Sequence, residues 1–303
     1  MKKYYDGIDE LIGNTPIVKL NKLKEYLGIK SNIFIKLESF NAGGSIKSRI
    51  AKRMVLELEK NNKINKNSII LEATSGNTGI GLALIGAYKG YNVEIVMPKD
   101  MSDERKKLLK SYGAKLYLTD GKDSIKESIR VLDELVNNNE NYVLTDQFQT
   151  PINPLAHYET TGPEIYKTLG KKIDYFVSAC GTGGTIRGCG KYLKEKIKNI
   201  KVVGVEPAGA SLGLKHKIQG IGGNIKDKPI EDGIIDIIYD IEDEDAYKYA
   251  RLLPKIEGIS IGISSGAALA SAVDIALKSK NPVNIVVISA DSGDHYLSSD
   301  LYV

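Results

Sequence analysis

The 303-residue chain carries two cysteines, Cys180 and Cys189. Their spacing fits neither a metal site nor a CxxC redox pair. So few thiols suit a reducing compartment, and a cytoplasmic protein is expected. Histidine is nearly as scarce. His157, His216 and His295 are the only three, and they fit no HExxH or similar metal spacing, so each reads as structural and no metal is expected. There is no GxSxG elbow to support a serine hydrolase. No apolar run approaches the roughly 20 residues that span a bilayer. The start, Met1-Lys2-Lys3-Tyr4-Tyr5-Asp6, is basic with no apolar stretch behind it and does not read as a signal peptide. Compact basic clusters are also missing. The formal charge of +4 comes from dispersed lysines, and Arg105-Lys106-Lys107, followed by Leu108-Leu109, reads as the polar face of a helix. Neither a nucleic acid nor a membrane is expected as a partner.

What the sequence does contain is a regular alternation. Short β-rich runs are expected as strands at Ile33–Glu38, Ser68–Ala73, Val93–Pro98, Lys115–Thr119, Tyr142–Leu144, Asp174–Ala179, Lys201–Val205 and Asn284–Ala290. Helical patterns lie between or beside them at Ile46–Lys60, Asn77–Lys89, Ser102–Tyr112, Ser124–Asn138, Asn153–Leu169, Gly183–Lys196, Glu242–Leu253 and Ser265–Lys278. Such alternation predicts an α/β fold: open parallel sheets flanked by helices. The run Ile285-Val286-Val287-Ile288 suits a strand buried on both faces. No long linker or repeat interrupts the pattern, so two closely packed lobes are expected, with a ligand cleft between them at the carboxyl ends of strands.

Four segments that open helix patterns carry the chemistry. In Asn41-Ala42-Gly43-Gly44-Ser45-Ile46-Lys47-Ser48-Arg49, the glycines permit a tight turn and Ser45 can cap the helix. Lys47 would lie in the first turn, where the helix dipole disfavours a cation, as a nucleophilic amine requires. The plainer reading is a surface lysine. In Thr74-Ser75-Gly76-Asn77-Thr78-Gly79, hydroxyls and N–H groups at a helix start could hold a carboxylate, or merely cap the helix. In Gly181-Thr182-Gly183-Gly184-Thr185, three glycines let the backbone approach a phosphate closely. No Lys-Ser/Thr follows and the GxGxxG spacing is absent, so it is neither a Walker loop nor a Rossmann fingerprint. Gly262-Ile263-Ser264-Ser265-Gly266-Ala267, read alone, is a closely packed helix start. Together, a lysine, an anion loop, a phosphate loop and a hydroxyl are the parts of a pyridoxal phosphate site.

These segments resemble the cysteine synthase (O-acetylserine sulfhydrylase) and cystathionine β-synthase family, within the tryptophan-synthase-β-like, fold type II pyridoxal phosphate enzymes. The resemblance extends to Ile12-Gly13-Asn14-Thr15-Pro16, Gln147-Phe148, Asn153-Pro154, His157, Thr160-Thr161-Gly162-Pro163-Glu164, His216-Lys217-Ile218-Gln219-Gly220-Ile221-Gly222 and Asp291-Ser292-Gly293. It implies that Lys47 carries the cofactor covalently and serves as general base. It implies that Asn77 bonds the ring oxygen, that Gly181, Thr182, Gly183, Gly184 and Thr185 bind the phosphate, and that Ser264 faces the pyridine nitrogen. A neutral serine there does not keep that nitrogen protonated, which favours loss of a β-substituent over transamination. Thr74, Ser75, Gly76, Thr78 and Gln147 would receive the substrate carboxylate. A smaller mobile α/β domain is expected over residues 43–145. Residues 1–42 and 146–303 would form a larger domain carrying the phosphate loop.

The implied reaction is β-replacement or β-elimination on a small L-amino acid through an α-aminoacrylate, as when O-acetylserine and sulfide give cysteine. The chain departs from the family after Gly222, where an apolar run is replaced by Gly223-Asn224-Ile225-Lys226-Asp227-Lys228-Pro229-Ile230-Glu231-Asp232. A carboxylate from here, Asp232 or Glu231, could activate water or repel an anionic nucleophile. The alternative is a solvated loop. Sulfide release from L-cysteine is therefore a second expectation, by water replacement to serine, elimination to pyruvate or condensation with another thiol. A reading of another class is a catalytically silent regulator that binds serine acetyltransferase. The family also implies a homodimer and serine acetyltransferase as a partner.

Overall fold

The computed structural model describes residues 4–120, 125–222 and 233–302. Along the chain come β1 (Ile17–Lys19), α1 (Asn21–Leu27), β2 (Asn32–Leu37), α2 (Lys47–Lys60), β3 (Ile69–Ala73), α3 (Asn77–Lys89) and β4 (Asn92–Pro98). There follow α4 (Asp103–Ser111), β5 (Lys115–Thr119), α5 (Ile125–Val136), β6 (Tyr142–Leu144), α6 (Ile152–Glu159) and α7 (Thr161–Leu169). The last stretch runs through β7 (Tyr175–Ala179), α8 (Gly184–Lys196), β8 (Lys201–Pro207), β9 (Ile237–Ile241), α9 (Asp243–Glu257), α10 (Ile263–Lys278) and β10 (Asn284–Ser289). The chain divides into two compact units. One comprises the described residues of Met1–Gly13, Asn41–Asn153 and His295–Ser299. The other comprises those of Asn14–Phe40, Pro154–Asp294 and Asp300–Val303.

The first unit is built on a parallel sheet in the order β5-β4-β3-β6. Side chains alternate across β3. Leu71 and Ala73 pack with Val96 of β4 and Leu132 of α5, so Ile70 and Glu72 belong to the opposite face. Burying each Leu or Ile here stabilises the unit by about 1.5–3 kcal/mol. Helices α2 and α3 pack closely because α3 carries Gly81. A Cβ there would stand 2.8 Å from Ala51 Cβ and 3.2 Å from the carbonyl oxygen of Lys47. The start of α2 is thereby held against the second turn of α3.

The second unit is built on a sheet in the order β1-β2-β10-β7-β8-β9. All neighbours are parallel except β1 and β2. Ile285, Val286, Val287 and Ile288 of β10 are all buried, as a central parallel strand covered on both faces requires. The two edge strands escape the sequence pattern. β1 has three residues, and β9 is mostly partly exposed, so neither shows a buried run. Helix α1, with Leu23 as its single buried residue, escapes for the same reason.

One expected helix, Asn153–Leu169, is two. The chain breaks at Thr160 (φ −125°, ψ −68°), whose Oγ1 donates to the Ala156 carbonyl at 2.6 Å. Side-chain bonding of this kind competes with the helix ladder. Pro163 follows and has no N–H to offer the carbonyl four residues back, but it is tolerated in the first turn of α7.

Candidate active site

In the first unit, Lys47 opens α2 and is partly exposed. The N-cap position is Ile46 rather than Ser45, yet Ser45 Oγ accepts the Lys47 N–H at 3.2 Å, so the serine still serves the helix start. The turn before α3 is tightly built. Gly76 has φ +141°, and a Cβ there would stand 2.4 Å from Arg105 Cδ. Thr74 Oγ1 accepts the Gly76 N–H at 3.1 Å. Thr78 Oγ1 donates to Gln147 Oε1 at 2.6 Å, and Gln147 Nε2 donates to the Ala73 carbonyl at 3.2 Å. Gln147 is in turn held by Asn153, whose side chain donates to its carbonyl at 2.9 Å. Thr74, Thr78 and Gln147 are buried, while Ser75 and Asn77 are partly exposed. The first-turn N–H groups of α3 have no partner within the helix. This corner can receive a carboxylate through hydroxyls, amides and backbone N–H groups together.

Beneath it lies a carboxyl that sequence reasoning assigns no role. Glu72 is 3% exposed. Burial pushes its pKa up to about 7, against the lowering effect of hydrogen bonds from the Thr145 hydroxyl and from the backbone and side chain of Gln147. The exposed Asp146 raises it further. Asp146 sits at φ +47°, a conformation that aspartate tolerates better than most residues. Its turn brings the Thr145 hydroxyl and the Gln147 N–H to one carboxyl. Two more residues border the corner. Arg105 stacks on the Tyr296 ring at 4.5 Å, and His295 Nδ1 donates to Asn77 Oδ1 at 3.2 Å.

In the second unit, the loop from β7 into α8 is backbone-rich. Gly183 is left-handed (φ +81°) at the N-cap of α8. A Cβ on Gly181 would stand 2.5 Å from the Gly220 carbonyl oxygen, so only glycine fits. The Gly184 N–H reaches Thr182 Oγ1 at 3.4 Å. Thr185 Oγ1 bonds His157 Nε2 at 3.2 Å, and His157 Nδ1 bonds Thr161 Oγ1 at 2.9 Å. His157 is buried, and Gly188 lets α8 approach the chain that carries it: a Cβ there would stand 2.1 Å from the Pro154 carbonyl oxygen. Cys180, just before the loop, is buried, and burial pushes its thiol up to about 12, which makes it an inert packing residue. Ser264 lies in the first turn of α10 and is buried. Its neighbour Ser265 accepts the Ala290 N–H at 2.9 Å and ties that turn to the end of β10.

Thus Lys47, Thr74, Ser75, Gly76, Asn77, Thr78 and Gln147 fall in the first unit, and Gly181–Thr185 and Ser264 in the second. Glu231 and Asp232 lie outside the described residues. Two motifs of the resemblance are structural in the second unit: Glu164 accepts the Asn14 N–H at 2.9 Å and pairs with buried Lys36 at 2.7 Å. Glu72, Arg105 and His295 border the site residues without a sequence signal of their own, and His157, one of the residues of the resemblance, does so with no role assigned to it. A one-residue reading of strand β3 could have found Glu72, because a carboxylate in a strand buried on both faces needs a reason.

The donor set fits pyridoxal phosphate. A loop where a Cβ would strike a carbonyl, followed by a helix N-terminus with two threonine hydroxyls, suits a phosphate. A lysine at a helix start suits an aldehyde, and Ser264 offers a neutral partner to a pyridine nitrogen. Among the described residues no helix is long and apolar enough to cross a membrane, and no group of three or more acidic, histidine or cysteine side chains could hold a metal.

Comparison with known proteins agrees. The family model described as pyridoxal-phosphate dependent enzyme matches residues 8–291. The cysteine synthase of Buchnera aphidicola subsp. Schizaphis graminum is 44% identical, over 100% of this chain and 97% of its own length. A hydrogen sulfide-producing enzyme from Fusobacterium nucleatum superposes with a TM-score of 0.91 at 44% identity, covering 97% of this chain and 100% of that one. An O-acetylserine-dependent cystathionine β-synthase from Helicobacter pylori superposes with a TM-score of 0.94 at 35% identity, with both chains covered completely. The chain is a fold type II pyridoxal-phosphate-dependent enzyme and belongs to the cysteine synthase family.

Proposed function

We propose that this enzyme joins sulfide to the β-carbon of O-acetyl-L-serine, giving L-cysteine and acetate. The observation that carries the reading is the corner of the first unit. There Lys47 opens a helix that Gly81 holds against α3, while Thr74, Thr78 and Gln147 surround the turn into α3. When bound, pyridoxal phosphate supplies an electron sink that acidifies the substrate α-proton. The amine of Lys47 takes that proton as general base and returns it after the nucleophile has added. Thr74, Ser75, Gly76, Thr78 and Gln147 receive the carboxylate and orient Cα for that transfer. Asn77 holds the cofactor ring oxygen, Gly181–Thr185 hold the phosphate, and Ser264 leaves the pyridine nitrogen unprotonated. The two half-reactions predict ping-pong kinetics.

A second reading is favoured by the likeness to the sulfide-producing enzyme. Here L-cysteine is the substrate and sulfide leaves. Water then replaces it to give serine, or elimination yields pyruvate and ammonia, or another thiol adds. Glu231 and Asp232 are the candidates for activating that water. We further place the reaction in the cytoplasm, on the two free cysteines. We infer a homodimer able to bind serine acetyltransferase, on the family resemblance. Sedimentation of the enzyme alone and with serine acetyltransferase tests both assemblies.

The deciding experiment supplies the cofactor-loaded enzyme with L-cysteine, or with O-acetylserine and sulfide, and quantifies sulfide, cysteine, serine and pyruvate. Cysteine formation with little sulfide release supports the first reading. Rapid sulfide with equimolar serine supports the second. No turnover of either substrate overturns both and leaves the silent-regulator reading.

A further inference from the structure

The run Arg105-Lys106-Lys107 reads in sequence as the polar face of a helix, yet the structure divides it. Lys106 pairs with Asp103 at 2.8 Å and Lys107 is exposed, whereas Arg105 is 3% exposed. The arm of Arg105 runs along the turn that opens α3. A Cβ on Gly76 would stand 2.4 Å from Arg105 Cδ, 3.0 Å from its Nε and 3.4 Å from its Cγ. The arm therefore fills the space that a side chain at position 76 would claim. Gly76 also has φ +141°, which a residue with a Cβ adopts only under strain. The head of Arg105 is fixed as well. Its guanidinium lies 4.5 Å from the centre of the Tyr296 ring, a cation–π geometry, and Tyr296 is 1% exposed. Ser102, at the N-cap of α4, donates to the His295 carbonyl at 2.8 Å, which ties the start of Arg105's helix to the residue before that ring.

We propose that Arg105 is a positioning residue of the carboxylate corner, and that its charge makes the corner prefer an amino acid with an ionised α-carboxylate over the neutral amide of the same amino acid. Ser75 and Asn77, on either side of Gly76, are partly exposed. A ligand thus comes to the turn from solvent, with the cation on the protein side. The inference rests on the reading that Thr74–Thr78 and Gln147 receive the substrate carboxylate. Those groups are hydroxyls, amides and backbone N–H groups, which are neutral dipoles. They can hydrogen-bond an amide oxygen as well as a carboxylate oxygen. A unit charge tells the two apart, and it acts through space, without direct contact. Other hydrogen bonds of the guanidinium, which has five N–H donors, do not remove that charge.

The test titrates the holoenzyme with L-alanine and with L-alaninamide, neither of which has a β leaving group. Affinity is read from the cofactor's absorbance. The two ligands' amines differ, but that difference is common to all variants and cancels in a ratio to wild type. For Arg105→Met, L-alanine affinity should fall about tenfold while L-alaninamide affinity stays within about twofold, as expected of a unit charge several ångströms away at a partly buried site. Arg105→Lys keeps a charge and should recover most of the L-alanine affinity. Equal losses for both ligands in Arg105→Met would reduce the arm to packing and overturn the proposal. So would an Arg105→Lys enzyme no better than Arg105→Met on L-alanine. Arg105→Gln, also neutral, replaces the methionine variant should that one not fold. Thr78→Val and Gln147→Ala separate this proposal from the reading beneath it. If both leave L-alanine affinity unchanged, the carboxylate reading fails and takes the proposal with it. If they weaken L-alanine binding and Arg105→Met does not, the proposal alone is overturned.

Discussion

The two units build their proposed anion corners by different means. The first surrounds the turn into α3 with side chains: Thr74, Thr78 and Gln147, backed by a buried carboxyl at Glu72. The second presents backbone. Its loop into α8 is kept bare by Gly181, and its hydroxyls come from Thr182 and Thr185, the latter braced by His157. A backbone cradle has no proton to lose, so its grip on an anion should be nearly independent of pH. A side-chain network with a titratable base should not be. The difference suits a cofactor that stays bound and a substrate that comes and goes.

The largest test separates chemistry from binding. Lys47→Ala removes the proposed general base, and turnover should fall by about 10²–10⁴ or more. The variant should still bind pyridoxal phosphate through the backbone loop of the second unit, but without a covalent link. Borohydride reduction followed by mass measurement reads this directly. A variant that loses the cofactor altogether would break the comparison, because it would mean that the first unit, not the second, retains it.

The next test concerns Glu72 and stability. Its folded pKa, about 7, lies above the ordinary 4.5 because burial penalises the charge. The folded protein therefore binds this proton more tightly than the unfolded chain. The stabilisation is fully present below about pH 4.5 and is lost as pH rises through about 7. Glu72→Gln does not titrate. Denaturant titrations should show its stability, relative to wild type, improving by about 3 kcal/mol between pH 4 and pH 8. A constant difference across that range would make Glu72 an ordinary buried acceptor.

Gly181→Ala probes the other unit. The added Cβ would meet a carbonyl oxygen at 2.5 Å, and backbone yields less readily than a side chain. Overpacking of this kind costs about 1–3 kcal/mol, or about 5- to 150-fold in cofactor affinity if the loop alone absorbs it. The loss should be the same at pH 6 and pH 8. A loss that grew with pH would show that the loop answers to a titrating group after all, with His157 the first suspect.

What could be read from the sequence follows the same division. The central strands were legible because they are continuous apolar runs, and α3 because a long apolar stretch runs from the turn at Gly76 to the left-handed Gly90 that ends it. The glycine loop was legible because glycine is demanded by backbone alone. Strands β1 and β9 were not, although the edge strands β5 and β6, with the same burial patterns, were. The break at Thr160 turns on one side-chain bond that a helical pattern spanning 153–169 conceals. Glu72, Arg105 and His295 were invisible as site neighbours because their partners lie far along the chain. Glu72 meets Thr145 and Gln147, and His295 meets Asn77 across 218 residues. No spacing rule spans such distances.

The smallest effect expected comes from His295. An asparagine amide can face either way, and which end meets a ligand depends on what holds the other. Here His295 donates to Asn77 Oδ1, which fixes the oxygen end of the amide and makes the nitrogen the end proposed to meet the cofactor's ring oxygen. The imidazole is itself held in place. The His295 backbone carbonyl accepts from Ser102 Oγ at 2.8 Å, and Tyr296 beside it is stacked by Arg105. His295→Leu keeps the bulk but removes the donor. Losing one hydrogen bond is worth about 0.5–1.5 kcal/mol, so kcat/KM should fall by about 2- to 12-fold, with a shift in the bound cofactor's absorbance. His295→Gln, which restores an N–H, should recover much of both. If Leu and Gln behave alike, packing rather than the donated proton accounts for His295. Asn77 would then be oriented from its own helix start, as Thr74 orders the Gly76 N–H beside it.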